Sequence, residues 1–226
     1  MRKPAGAILA LVAFWIPCKA GEPLYAENDQ HRILGLMPNY KTTSLLQTDL
    51  KKMTVKEKFA LATKDAFDSS AFLSTILYAG MGHITHQYPS FGGGMAGLGK
   101  RYALMFTDGV QGTYFTEAIV PALFHQDPRY FRKGSGNGVA RASHAVTSLF
   151  TVRSEKGGLQ LNTSEILGNA ASSSLSNLYY PGAERSFHNT AMRISTSLVS
   201  DAMNNMVREF WPDIMGMWKH HKPGHP

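Results

Sequence analysis

Three groups of residues in this sequence have the types and spacing to do chemistry. The first is His125, Asp127 and Arg129, with Glu117 a short way upstream. An imidazole beside a carboxylate makes an acid–base pair, and a guanidinium beside it holds an anion. Those four residues are the candidate catalytic set of a hydrolase. A plainer reading competes with it. Asp127 before Pro128 is an N-cap followed by proline at the first helical position, so a short helical turn is expected there. His125 would then close the preceding helix, where positive charge is favoured.

The second group is histidine. His83 and His86 share a face if both are helical, and imidazoles so placed can ligate a metal. No Asp or Glu lies between Asp68 and Asp108 to complete such a site. His220 and His221 sit in a closing Lys-His-His-Lys-Pro-Gly-His-Pro stretch, which reads as a solvated tail with weak affinity for copper or nickel. No metal and no cofactor are expected. The third group is the lone acids of apolar helices, Asp108, Glu117 and Glu165. Arg101 lies two turns before Asp108 and is its expected ion-pair partner. Glu117 is expected to pair with Arg193 or Arg141. A buried carboxyl left without such a partner has a raised pKa.

Established enzyme motifs are missing. The chain has no Gly-x-Ser-x-Gly elbow, no His-Glu-x-x-His and no phosphate loop ending in Gly-Lys-Ser. The Gly-rich run from Pro89 to Lys100 lacks the strand that a nucleotide loop follows. Binding or assembly, without catalysis, is the function expected.

The elements that would position these residues are helical. Thr54 has the place of an N-cap for a helix from Val55. Ser69 to Gly99 contains no charged residue, and a helix capped by Ser69 or Ser70 is expected to stop before Pro89. A long helix follows from about Gly94 to Val120, with Gly93, Gly97 and Arg101 on one side. Glycines inside helices cost about 1 kcal/mol each, so a second helix is expected against that face. Pro121 should bend or break this helix. Val139–Thr151 is the next helix. Asn162-Thr163-Ser164-Glu165 has the form of a capping box before a helix rich in Gly, Ala and Ser. The last helix spans Phe187 to Phe210 and stops at Pro212. No strand with sustained period-two alternation is found.

The N-terminus supplies an address. Arg2 and Lys3 precede an apolar run, Ala5 to Ile16, of signal-peptide length, with cleavage expected after Ala20. Cys18 suggests a lipoprotein, but Pro17 stands where a small flexible residue belongs, so simple secretion is preferred. Cleavage would take three basic residues with it and lower the formal charge from +7 to +4. It would also remove the single cysteine, which excludes disulfides and thiolate chemistry from the mature chain. The remaining charge does not argue for nucleic acid.

The segments His125 to Arg132, Ile166 to Ala171, Asn177 to Pro181 and Glu209 to Ile214 together resemble an uncharacterised family of exported bacterial proteins. The resemblance spans about residues 95–214. It implies a bacterial origin and an exported location, in the periplasm or cell envelope, and it transfers no activity and no site. The expected architecture is all-α: a signal peptide over 1–20, an extended arm over 21–53, one domain of five to seven helices over 54–214, packed through Gly, Ala and Ser faces, and a disordered His-rich tail over 215–226. The expected partners are an envelope protein or a second copy meeting small-residue helix faces. Contact with a membrane is a further alternative, including helices embedded in lipid.

Overall fold

The computed structural model describes residues 40–44 and 51–220, with side chains to Ile214. The expected signal peptide, most of the arm and the tail after His220 lie outside the described residues. What is described is an all-α domain with four strands of three residues each. In chain order the elements are β1 (Thr42–Ser44), α1 (Val55–Ala66), α2 (Ser69–Ile84), α3 (Gly94–Tyr114), a π-helical segment (Phe115–Ile119), α4 (Val120–Leu123), β2 (Tyr130–Arg132), α5 (Gly138–Thr147), β3 (Thr151–Arg153), β4 (Leu159–Leu161), α6 (Thr163–Leu175) and α7 (Phe187–His220).

Local chemistry starts most of these helices. The Thr54 hydroxyl accepts from the Glu57 N–H at 3.2 Å, and the Glu57 carboxylate accepts from the Thr54 N–H at 2.6 Å, a complete capping box. Asp68, and neither Ser69 nor Ser70, caps α2 by accepting from the Ser70 N–H at 2.7 Å. Asn162 caps α6 through the Glu165 N–H at 3.0 Å. The reciprocal half of that expected box does not form: the Glu165 carboxyl accepts from the Asn169 amide instead, at 2.9 Å.

Two glycines permit close approach. A Cβ at Gly168 would lie 2.8 Å from the Thr116 side chain and 3.1 Å from its backbone, so α6 rests directly on the π-helical segment. At Gly97 the neighbour is not another helix, as expected, but the turn before α3: a Cβ would stand 2.3 Å from the Gly92 carbonyl oxygen. Arg101 explains why that turn folds back. Its guanidinium is 1% exposed and donates to the carbonyls of Gln87, Tyr88, Gly92 and Gly97. It is a hub of backbone contacts rather than the partner of Asp108.

Prolines mark three joints of the chain, and at two of them the structure departs from expectation. Before Pro121 the helix widens into its π-helical turn and ends four residues later. Proline has no N–H for the preceding turn, and the widened turn accommodates that loss. After Pro128 no helical turn forms. Tyr130–Arg132 pairs in parallel with Thr42–Ser44, and this ladder overrides the local capping signal. Pro212 does not stop α7, which runs on through it. Glu209, fully buried, and Trp211 anchor the turn that leads into it, so the tertiary contacts outweigh the one lost backbone bond. The expected helix to Thr151 closes at Thr147, and β3 pairs antiparallel with β4.

Candidate functional site

The interior of this bundle is polar. A small aromatic core, Tyr88, Phe91 and Tyr180, packs with Leu104, Met105 and Tyr179. Beside it a cavity of about 580 Å³ opens between α1, α2, α3, α6 and α7. That volume falls in the range of small-molecule sites. Its walls carry hydroxyls and amides from Ser172, Thr196, Ser197, Ser200, Asn169 and Asn204. The sequence pattern of α6 produces this wall. Ser164, Gly168, Asn169, Ser172 and Ser173 are buried, while Ile166, Leu167 and Leu175 face outward.

One end of the cavity holds a charge cluster. The parallel pairing of β1 with β2 fixes Lys41, whose carbonyl accepts from the Tyr130 N–H at 2.9 Å. Its ammonium donates to Asp65 at 2.9 Å and is ion-paired with Glu117. Burial lowers the Lys41 pKa, against the raising pull of Asp65. Burial works upward on Asp65, but the charges of Lys41 and Arg208 and the hydrogen bonds from Lys41 and Tyr40 outweigh it, and its pKa is lowered. Glu165 of α6 and Asp201 of α7 also line the cavity. Burial first, and then the Asp201 carboxylate, hold Glu165 well above the ordinary carboxyl range.

The other end is organised by Asp108. It accepts from Ser176 at 2.7 Å, Tyr179 at 2.5 Å and Tyr180 at 2.6 Å. Burial raises its pKa and these three donors oppose the rise. Arg193 lies over the Tyr180 ring at 4.6 Å and donates to the Asn177 side chain at 2.6 Å. Arg193 and Arg208 both line the cavity from α7, about 22 Å apart along the helix at roughly 1.5 Å per residue.

The residues singled out from sequence are distributed as follows. His125 has a left-handed backbone and a side chain 75% exposed, 3.4 Å from Glu155. Glu155 also pairs with Lys58 at 2.6 Å and Lys52 at 2.8 Å, which hold its pKa at about 2 despite burial. Asp127 pairs with Arg129 at 2.5 Å and accepts from the Arg129 N–H, forming a turn rather than a helix cap. Glu117 pairs with Lys41, not with Arg193 or Arg141. Each candidate of the proposed catalytic set therefore has its own partner. The residue of that stretch that does most for the fold is Gln126, 1% exposed, which accepts from the Ser164 N–H and hydroxyl and donates to the Leu161 carbonyl.

His83 lies 3.4 Å from Arg101, while His86 lies past the end of α2 with positive φ, so the two do not share a helical face. Among the described residues no group of three potential ligands could hold a metal. The side chain of His220 and all of His221 lie outside the described residues.

Lys41, Asp201 and Arg208 were not visible as site residues in the sequence. Lys41 belongs to a stretch with no helical period, and its partners are 24 and 76 residues away. Asp201 carried a usable signal, because it is an acid among the Ser and Asn residues on one side of α7. Comparison with protein-family models, curated proteins and solved structures gave no match.

Proposed function

We propose that this chain is an exported protein of the bacterial cell envelope that acts by binding a small polar molecule in its interior cavity. The observation that supports this most directly is the cavity itself, walled by Ser, Thr and Asn and ended by buried charges. Polar groups of this density are expensive to bury unless something satisfies them. Catalysis by His125, Asp127 and Arg129 near Glu117 ranks below binding, since Asp127 and Arg129 are paired with each other, Glu117 is paired with Lys41, and the exposed His125 side chain lies against Glu155. Export rests on the N-terminal pattern of charge and apolar residues. The test is calorimetric screening of small polar compounds against the protein and its Thr196→Trp variant. Thr196 lines the cavity and its hydroxyl has no hydrogen-bond partner among the described residues, so the indole fills space without breaking a network. Binding that the variant loses supports the reading; binding that survives it places the ligand elsewhere.

A second reading, assembly on an apolar partner or a membrane surface, is favoured by the outward aliphatics of α6 together with Ile76 and Leu77 of α2 and Val199 and Met203 of α7. Large exposed apolar groups mark contact surfaces when they are contiguous. No helix among the described residues is long and apolar enough to cross a membrane. Flotation with lipid vesicles and sedimentation of the protein alone separate lipid contact from self-association.

A further inference from the structure

We propose that the ligand of this cavity is a small hydroxylated monocarboxylate of the sugar-acid kind, whose carboxylate is held by the buried guanidinium of Arg193. The proposal deepens the binding function above and rests on it. Arg193 is 8% exposed, lines the cavity from α7, and has no acid within ion-pairing distance among the described residues. Its Nη2 is fixed from outside the cavity wall. It donates to the Asn177 side chain at 2.6 Å and to the Thr190 hydroxyl at 3.2 Å, and neither of those residues lines the cavity. The other two nitrogens, Nε and Nη1, are buried and have no hydrogen-bond partner. A guanidinium is planar and its donors point in fixed directions, so with Nη2 turned outward the free nitrogens are left on the side of the cavity. Two other buried arginines are satisfied. Arg101 engages all three nitrogens with backbone carbonyls, and Arg141 is paired with Glu209 and Asp213. Arg208 also lines the cavity with an unpartnered Nε, but it belongs to the Lys41 end, where Asp65 and Glu117 would repel an anion.

The class of ligand follows from what surrounds this guanidinium. An anion with two oxygens can serve both free nitrogens and supplies the missing counter-charge. The guanidinium lies over the Tyr180 ring at 4.6 Å, and the Tyr180 hydroxyl donates to Asp108 at 2.6 Å. Asp108 therefore stands beyond the ring. Both its oxygens are occupied, one by Ser176 and Tyr179 and the other by Tyr180. A second negative charge on the ligand would be repelled by Asp108, which favours a carboxylate over a phosphate dianion. From Arg193 the same face of α7 carries Thr196, Ser197, Ser200 and Asn204 along the cavity, three, four, seven and eleven residues on. Arg193 to Ser200 is about 10 Å along the helix at roughly 1.5 Å per residue, which suits an extended sugar acid. Hydroxyls and amides both donate and accept, so this row complements a chain of ligand hydroxyls. An amine would set a second cation against Arg193, and a neutral polyol would leave the guanidinium without a counter-charge.

Four probes of similar size and differing charge test this, titrated calorimetrically at pH 7: gluconate, sorbitol, glucamine and glucose 6-phosphate. Gluconate should bind at least tenfold tighter than each of the others. Arg193→Met keeps the reach of the side chain and removes its charge and donors. It should weaken gluconate at least tenfold and erase the preference for it over sorbitol. Arg208→Met should weaken gluconate less than Arg193→Met does. If Arg193→Met does not fold, Arg193→Lys decides, because it keeps the charge and loses the planar set of donors. Gluconate should then weaken at least threefold. No preference for gluconate, a preference for glucose 6-phosphate, gluconate binding indifferent to the Arg193 variants, or a larger loss in Arg208→Met would each overturn the inference. If sorbitol or glucamine binds best and Thr196→Trp abolishes it, the carboxylate is wrong while the cavity still binds. If none of the four binds, the carboxylate is overturned, and the wider screen decides the cavity.

Discussion

Two buried charge clusters in this bundle are built on opposite plans. Around Glu209 every group is matched. Its carboxylate, 0% exposed, accepts from the Tyr130 hydroxyl at 2.8 Å, the Lys133 N–H at 3.0 Å, the Gly134 N–H at 2.9 Å and the Arg141 Nε at 3.0 Å. Burial would raise its pKa, but these donors hold it below the ordinary value. Arg141 is matched too, by the Glu209 carbonyl and by Asp213. Around Lys41 the acids outnumber the cations, Glu117 keeps an unpaired oxygen, and Glu165 is raised well above its ordinary pKa. A closed network pins elements together: this one ties β2, the glycine turn after it and α5 to α7. An open network beside a cavity stores unmet hydrogen-bonding capacity, and that capacity is what a ligand can use.

The contrast is sharpened most by removing each cluster's central acid. Glu209→Ala leaves Arg141 buried beside vacant donors. Breaking one partner of a buried pair costs about 3–5 kcal/mol, so chemical denaturation should show a loss of that size or a chain that does not fold. An effect below about 1 kcal/mol would mean that the network around Glu209 is not the clasp described here.

Two close approaches at glycine are sensitive to volume. Gly168→Leu drives a side chain into Thr116 at the π-helical turn. Overpacking of this kind costs roughly 1–3 kcal/mol, and thermal melting reads it. Gly97→Leu should cost at least as much, because the obstacle there is the Gly92 carbonyl, whose position Arg101 fixes. A Gly99→Ala control, with open space around its Cβ, should be neutral or slightly stabilising.

These glycines show what sequence could and could not reveal. The Gly97 face and the Arg101 stripe were visible at helical spacing, and the conclusion that something packs against Gly97 was right. The identity of that neighbour was not visible, because it depends on a guanidinium reaching back to carbonyls 13 and 14 residues away. Thr54 and Asn162 were readable as caps, since capping is decided within four residues. Pro128 and Pro212 misled for the same reason in reverse. Their local meaning was clear, but a strand partner from residues 42–44 and a buried Glu209 overrode it. The acids Glu117 and Glu165 were flagged correctly as unusual. The cation of Glu117 was misassigned, because Lys41 comes from a segment with no pattern to announce it.

Acid should expose a third, more exposed cluster. Glu155 has its pKa lowered from 4.5 to about 2 in the folded protein by Lys52 and Lys58. A carboxylate with a depressed folded pKa contributes stability that is fully present above pH 4.5 and is lost as pH falls toward 2. The loss should be about 1–3 kcal/mol, reduced from the full linkage value because Lys52 is largely exposed and screened. Glu155→Gln should flatten that part of the stability profile. An unchanged slope between pH 4.5 and 2 would show that Glu155 is not paired in solution.

Glu165 carries the smallest expected effect on stability and the opposite sign with pH. Its folded pKa lies well above its unfolded value, so the native state binds the extra proton. By linkage, stability is then highest below the unfolded pKa and declines as pH rises toward the folded one. Glu165→Gln replaces the protonated carboxyl with a neutral group of similar shape that still donates. It should therefore change stability by less than about 1 kcal/mol at low pH. At higher pH it should become relatively stabilising, since the variant has no proton to lose. Urea melts of the two proteins at pH 5 and pH 8 decide the matter. A gap that widens in the variant's favour with pH identifies Glu165 as the group that holds the proton. A gap that stays constant would place the proton elsewhere and leave the Lys41 end no more open than the network around Glu209.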